Sequence, residues 1–509
     1  MRTRSSRAML LLAAAGLFAA CSGGGDITDS GESATTKPAA TTAPGDTTAP
    51  GDTTGATDTT VAATTTSVAP DLLPDCPTGA LESATGTTEI TFWHSMSGPL
   101  GEEMTKLTDA YNASQSKVKV NLVQASYEET ADNYFLASQD NRPDLVQLPE
   151  YQVQAMVDSE STVPVGKCIT DSGFDTSAFL PTALAAYSTG GMNWAMPFNI
   201  SNPVLFYNKK VFAAAGLDPD KPPTSLDEVR AMSQQIVDSG AAKYGLALDT
   251  GFDSGGGWYI EQFFCKAGEF YVDGDNGRTS RATQVLYNND TGVEVMTFMQ
   301  QLLADGLAVN VGDNSQSGYD NLLKLADEAE PAAMTINTSA SLGGVLDVLK
   351  GGQFPQITAD DVGVGPMPGP DGKPGVLIGG ASLWPVATGN DARIAATWDF
   401  MTYLVGAQQQ SQWAAATGYV PVRNDAQALE PLKTTLATDP RFSVAFDQLA
   451  ATPDAPTSAG PVVGPLREIR SVLASAVSAI FGGADAKTTL DDAAEQSNGL
   501  IADYNARNS

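Results

Sequence analysis

Glu89-Ile90-Thr91-Phe92-Trp93, then Leu100, Met104, Leu107 and Tyr111, then Val118-Lys119-Val120-Asn121-Leu122-Val123: this stretch decides the fold. The first and third pieces have the β-branched and aromatic content of strands, and the second recurs at helical spacing. Asp144-Leu145-Val146-Gln147-Leu148 after Pro143 reads as a short buried strand. Farther along, Pro203 to Tyr207 and Gly245 to Leu248 read as strands, with a helix over Ser225 to Ser239 between them. Strands alternating with amphipathic helices predict α/β architecture, with helices packed on largely parallel sheets. In such sheets ligands sit on the loops beyond the carboxyl ends of the strands.

Working outward, the chain from about Cys76 to Ser509 is too long for one hydrophobic core and implies two lobes. Ahead of it, residues 21–75 are Thr, Ala, Gly, Pro, Asp and Ser, with almost nothing large and apolar. Such a composition cannot bury enough surface to offset its ordering entropy, and it predicts a tether. Residues 1–20 carry Arg2, Arg4 and Arg7 and then an apolar run from Met9 to Ala20, the pattern of a secretory signal. Leu17-Phe18-Ala19-Ala20-Cys21 resembles a bacterial lipobox, with Phe18 where that pattern usually has Leu, and makes Cys21 the expected lipid anchor. The membrane is then met through that lipid alone, because no later stretch reaches the roughly 18 unbroken apolar residues of a spanning helix.

The net charge of −31 argues against nucleic acid as a partner. Beyond Cys21, an odd number of cysteines remains, Cys76, Cys168 and Cys265. One disulfide and one free thiol is the simplest arithmetic outside the cytoplasm, and no C-x-x-C spacing suggests a metal. Catalytic patterns are missing. The chain has one histidine, His94, and Gly380-Ala381-Ser382-Leu383-Trp384 lacks the second Gly of a nucleophile elbow. Gly255-Gly256-Gly257 lacks the Lys of a phosphate loop. Asp273, Asp275 and Gly277 fall out of register for calcium and read as a hairpin turn. The reading is of a binding protein without cofactor, not an enzyme.

Certain segments carry a signature. Phe92-Trp93-His94-Ser95-Met96 is followed by Pro197-Phe198-Asn199-Ile200-Ser201-Asn202-Pro203-Val204-Leu205-Phe206-Tyr207-Asn208-Lys209 and Ala215-Gly216-Leu217-Asp218-Pro219. Ala333-Met334-Thr335, Gly379-Gly380-Ala381-Ser382-Leu383-Trp384 and Thr417-Gly418-Tyr419-Val420-Pro421 come later. Together these resemble the family 1 extracellular solute-binding proteins of ABC importers, and within them the glycerophosphate-binding branch. The resemblance runs from about Glu89 to Arg507. It implies the two-lobed, maltose-binding-protein-like fold with crossing hinge segments. Lobe one would be 77–196 and 336–383, and lobe two 197–335 and 384–509. It also implies a monomer that delivers its ligand to ABC permease subunits.

The family's ligand residues carry over one at a time. Tyr127 and Glu150 fall where the family meets the glycerol end, and Ser201, Gly380 and Tyr419 match further contacts. Trp258 matches one of two cleft tryptophans. Arg470, in Arg467-Glu468-Ile469-Arg470, matches the phosphate-pairing arginine; a guanidinium suits two phosphate oxygens better than an ammonium does. Thr338 stands for a family Ser, and Phe252 for the other tryptophan. The smaller ring leaves room beyond the phosphate, so the expected ligand is glycerol-3-phosphate or a glycerophosphodiester such as glycerophosphocholine. A maltose- or trehalose-type oligosaccharide is the alternative within the same fold; an anchored hydrolase would be a different class, and the lone histidine speaks against it. Cys76 and Cys168 flank the first lobe's opening segments, so their pairing is expected with Cys265 left reduced, although spacing alone does not deduce connectivity.

Overall fold

The computed structural model describes residues 73–314 and 318–508. The expected signal (1–20), the lipid anchor Cys21 and all but the last residues of the expected tether (21–75) lie outside the described residues. The strands are β1 (Thr88–His94), β2 (Val118–Gln124), β3 (Leu145–Pro149), β4 (Ser188–Thr189), β5 (Met192–Asn193), β6 (Met196–Ser201), β7 (Pro203–Asn208), β8 (Tyr244–Leu248), β9 (Ala308–Asn310), β10 (Ala332–Thr338), β11 (Val362–Pro366) and β12 (Gly379–Pro385). One five-stranded sheet has the order β2-β1-β3-β12-β6, another β11-β7-β10-β8-β9, and β4 and β5 form a small hairpin.

Local chemistry explains the elements. β1 buries Ile90, Phe92 and His94 in alternation, whereas β3, β6 and β7 are buried along their whole length, as strands covered on both faces must be. The helix Tyr127–Leu136 opens with a capping box between Ser126 and Glu129, and Leu226–Ser239 with one between Ser225 and Glu228. The second of these ends on Gly240, whose φ of 72° is open to glycine at no steric cost.

Two expectations need correction. The sheets are mixed: β1 runs parallel to β2 and β3, but β12 is antiparallel to β3 and β6, and β7 is antiparallel to β10 and β11. The antiparallel strands are those flanking the crossings, where the chain passes straight from one sheet to the other without a helical return. The lobe boundaries also move. β6 is bonded into the first sheet through Ser201, and β7 begins the second at Pro203, so the first crossing is Asn202. β10 and β11 are strands of the second sheet, the latter through Pro366, and β12 runs in the first from Gly379 to Pro385, so the second crossing lies between Pro366 and Gly379. The helix Asp391–Leu404 then packs on the first lobe, with Phe400 against Phe92 and Tyr111 at ring separations of 6.0 and 4.9 Å. The segment after 384 therefore stays in the first lobe. The second is rejoined by the helix Arg441–Ala450, where Gln448 Nε2 donates to the Pro203 carbonyl at 2.7 Å.

Cys76 and Cys168 are disulfide-bonded with Cα atoms 4.9 Å apart, and Cys265 is a buried free thiol. The disulfide ties the first described residues to the helix Val165–Ser172, beside an ion pair of Lys167 Nζ with Asp75 at 2.7 Å. The segment Asp273–Gly277 is a tight left-handed turn, with Gly274, Asp275 and Asn276 all at positive φ. Asp273 closes it by accepting from the Thr283 and Gln284 amides, as a hairpin turn requires. No helix among the described residues is long and apolar enough to cross a membrane.

The lobes meet through four arginines of the second reaching oxygens of the first. Arg467 pairs with Asp132 at 3.3 Å, and Arg470 with Glu150 at 3.0 Å. Arg281 pairs with Asp158, which also accepts from the Tyr504 hydroxyl at 2.8 Å. Arg278 donates to the carbonyls of Ala185, Ala186 and Ser188, and on its own side to those of Ala459 and Gly460.

Candidate functional site

The expected ligand residues gather where the first sheet's central strands meet the second lobe. β3, β12 and β6 are neighbours, with Ala381 opposite Pro149 and Gly380 opposite Ile200. Their ends thus bring Glu150, Gly380 and Ser201 side by side. Gly380 has φ of 88°, and a Cβ there would lie 2.0 Å from the Asn199 carbonyl oxygen, so no other residue fits this approach. At Gly379 a Cβ would lie 2.3 Å from Trp258 Cζ2, so that indole lies directly on the strand. Trp258 is buried, and its Nε1 has no hydrogen-bond partner among the described residues. Tyr419 stacks on Trp413 at 5.7 Å and 22°, and the Val420 amide beside it donates to the Ile200 carbonyl at 2.8 Å.

Tyr127 is held by a relay of buried amides. The Ser95 amide donates to Gln147 Oε1 at 2.8 Å, Gln147 Nε2 to Asn199 Oδ1 at 2.7 Å, and Asn199 Nδ2 to the Tyr127 hydroxyl at 2.9 Å. The Phe92–Met96 motif therefore bears on the site through the Ser95 backbone. His94 itself is a buried structural ring: its Nδ1 accepts the Met96 amide at 3.3 Å, and burial lowers its pKa to about 4.

Arg470, on the helix Leu466–Phe481, is only 1% exposed. Its Nε and Nη2 donate to the two carboxylate oxygens of Glu261 at 2.6 and 2.9 Å, and its Nη1 to Glu150 at 3.0 Å. The guanidinium carbon stands 5.4 Å from the Tyr151 ring centroid, within cation–π reach. Burial works against this cation, but the two carboxylates more than offset it and hold its pKa above the ordinary value. Burial also pushes the Glu150 carboxyl above its usual range, with Arg470 opposing and Glu261 adding to the rise. Glu150, expected to take hydroxyl donors, is thus already ion-paired.

Phe252 lies half-buried in the loop leading to the helix Trp258–Ala267, and a Cβ at Gly257 would strike its carbonyl at 1.9 Å and approach Arg470 Cβ at 3.0 Å. Gly257, and Gly256 whose Cβ would lie 2.9 Å from Ala474 Cα, are therefore needed for close packing against the arginine's helix. Asp249 ties this loop by accepting from the Gly251 and Gly255 amides at 3.1 and 2.8 Å. Thr338 sits apart, at the crossing opposite Pro203, with its hydroxyl accepting from the Ala340 amide at 3.3 Å.

Sequence reading missed Glu261, Tyr151 and the pair Gln147–Asn199. Glu261 left a trace: it is the lone acid in the apolar run Trp258-Tyr259-Ile260-Glu261-Gln262-Phe263-Phe264, and a buried charge demands a partner.

The chain matches the bacterial extracellular solute-binding protein family over residues 106–442. It is 30% identical to the sn-glycerol-3-phosphate-binding periplasmic protein UgpB of Pectobacterium atrosepticum, over 84% of this chain and 94% of that protein. Identity to UgpB of Yersinia pseudotuberculosis is 28%, over 84% and 95%. Among solved structures, UgpB from Mycobacterium tuberculosis in complex with glycerophosphocholine matches with a TM-score of 0.67 at 22% identity, covering 83% of this chain and 100% of that one. The cyclic α-maltosyl-1,6-maltose binding protein of Arthrobacter globiformis matches with a TM-score of 0.66 at 21% identity, over 82% and 99%. These structural likenesses establish the two-lobed fold and no more.

Proposed function

Because this chain belongs to the bacterial extracellular solute-binding proteins, we propose that it is the receptor of an ABC importer for glycerol-3-phosphate or a glycerophosphodiester such as glycerophosphocholine. The observation that carries this reading is Arg470, a buried guanidinium at the junction of the lobes, in contact with Glu150 of the first lobe. Beyond the three donors taken by Glu261 and Glu150, Nη1 and Nη2 each keep one N–H, and a phosphate accepts such charge-assisted hydrogen bonds. Tyr127, Glu150, Ser201, Gly380 and Tyr419 would hold the glycerol end. Trp258 and Phe252 would line the space beyond the phosphate, and Thr338 would stand at its edge. Closure of the lobes on the ligand would present one surface to the permease subunits, coupling capture to delivery. A lipid on Cys21 would hold this monomeric receptor at the outer face of the cell membrane. Calorimetry with glycerol-3-phosphate, glycerophosphocholine and maltose tests the reading. The phosphate ligands should bind and Arg470→Lys should weaken both; maltose binding alone would overturn it in favour of an oligosaccharide receptor.

A further inference from the structure

The turn Asp273–Gly277 leads into Arg278 and is fastened to its own lobe. Asn276 Oδ1 accepts from the Tyr271 and Val272 amides at 2.8 and 3.2 Å, and the Asn276 carbonyl accepts from the Val462 amide at 2.8 Å. The Arg278 amide closes the turn on the Gly274 carbonyl at 3.0 Å. The half-buried guanidinium has five N–H donors, and each meets a different backbone carbonyl. Two acceptors lie in its own lobe: Nε donates to Gly460 at 2.9 Å, and Nη2 to Ala459. Three lie across the seam, where Nη1 donates to Ala185 at 2.9 Å and to Ser188 at 2.6 Å, and Nη2 to Ala186 at 3.2 Å. Ala185 and Ala186 form the last turn of the helix Pro181–Ala186, where carbonyls look beyond the helix for donors and a cation meets the favourable end of the dipole. No carboxylate among the described residues takes part, and burial alone lowers the Arg278 pKa, to about 9. None of the five acceptors is a residue of the ligand site described above.

We infer that Arg278 is an affinity-determining positioning residue: a clasp that holds the lobes closed without touching the ligand, and so tightens the grip on every ligand by one common factor. The clasp serves whichever ligand the receptor takes. All five acceptors belong to the protein, so it acts on the empty and the filled receptor alike. Opening gives up the three bonds across the seam, while the two on its own side keep the guanidinium placed for reclosing. Charge on the donor makes each of these bonds stronger than a neutral one. Apparent affinity scales with the fraction of receptor in the binding form, so a loss of that fraction weakens all ligands equally. The other contacts across the seam are of a different kind. Arg467–Asp132 and Arg281–Asp158 are ion pairs whose members reach 61% and 27% exposure, where water and salt screen them. Arg470 and Glu150 belong to the ligand site itself.

The test compares the full chain with its Arg278→Met variant, confirmed as folded by circular dichroism. Small-angle X-ray scattering without ligand should give the variant a larger radius of gyration, since the residues before 73 contribute equally to both. Calorimetry with glycerol-3-phosphate and with glycerophosphocholine should show both weakened by about tenfold, with their ratio unchanged. Stopped-flow measurements should place the loss in faster release, with association little altered. A merely structural arginine would lower the urea midpoint and leave the radius of the folded protein as it was. Equal radii of gyration overturn the clasp, and so does an affinity loss that differs between the two ligands. If Arg278→Met does not fold, Arg278→Lys, with three donors in place of five, should expand the protein less but in the same direction. If neither phosphate ligand binds the wild type, the proposed ligand class falls, while scattering still decides the clasp.

Discussion

Replacing Arg470 by Met removes the cation and roughly keeps the side chain's length, so little cavity is left and the loss is electrostatic. Glu261, with 2% side-chain exposure, then keeps its charge without the two hydrogen bonds of 2.6 and 2.9 Å that compensate it. Breaking one side of a buried ion pair costs about 3–5 kcal/mol. Glu150 adds less, because its side chain is 17% exposed and Arg470 reaches it through a single hydrogen bond of 3.0 Å. The second substitution is the informative one. In Arg470→Met/Glu261→Met the stranded anion is gone, and apolar replacement of a buried pair is often near neutral, so at least about 2 kcal/mol should return. Urea unfolding of the wild type, both single variants and the double variant gives the coupling energy, provided the slope m stays constant across the set. A single variant as stable as the wild type, or a double variant no better than Arg470→Met, would refute the claim that Arg470 and Glu261 form a compensated buried pair. The same cycle shows why alanine at 470 is a poor probe of binding alone: it disturbs the fold as well as the site.

His94 should make stability fall with acid. Its folded pKa of about 4 lies below its unfolded value of 6.5, so the unfolded chain takes the proton first. The stabilisation is complete above pH 6.5 and is lost as pH falls toward 4, by about 3 kcal/mol, and His94→Phe should lack that part of the slope in urea titrations. Gly380→Ala should cost roughly 2–4 kcal/mol from positive φ and overlap with the Asn199 carbonyl, and should also weaken ligand binding; an unchanged melting temperature would contradict the geometry. Cys265, whose thiol burial pushes up to about 11, should resist alkylation in the native protein and react on unfolding, as peptide mapping will reveal. Losing the Cys76–Cys168 bond, which closes a separation of 92 residues, should lower stability by about 2–5 kcal/mol in Cys76→Ala/Cys168→Ala.

Much of the fold was legible because its strands and helices keep their periods: Glu89–Trp93 became β1 with one residue more at each end, and Ser225 became the cap of its helix. The lobe boundaries were not legible. A crossing needs only one residue, Asn202, between two uniformly buried strands, and nothing in local pattern separates Met196–Ser201 from Pro203–Asn208. Likewise, which lobe the helix Asp391–Leu404 joins is decided by Phe400 meeting Phe92, a contact no window of sequence contains. At the site, family position placed Arg470 near Glu150, but its main partner lies 209 residues away. Residue type announced a buried acid at Glu261 without naming what it would meet.

The disulfide and the Lys167–Asp75 pair sit where the described chain begins, and both end on the first lobe. Any pull arriving along the chain from before residue 73 is therefore borne at Cys76 and passed by a covalent bond into the helix Val165–Ser172. The force stops in that lobe. It does not reach the crossings at Asn202 and between Pro366 and Gly379, on which the second lobe swings. A receptor under drag could thus be held by one half while the other stays free to open and shut, with the work of restraint kept separate from the work of gripping.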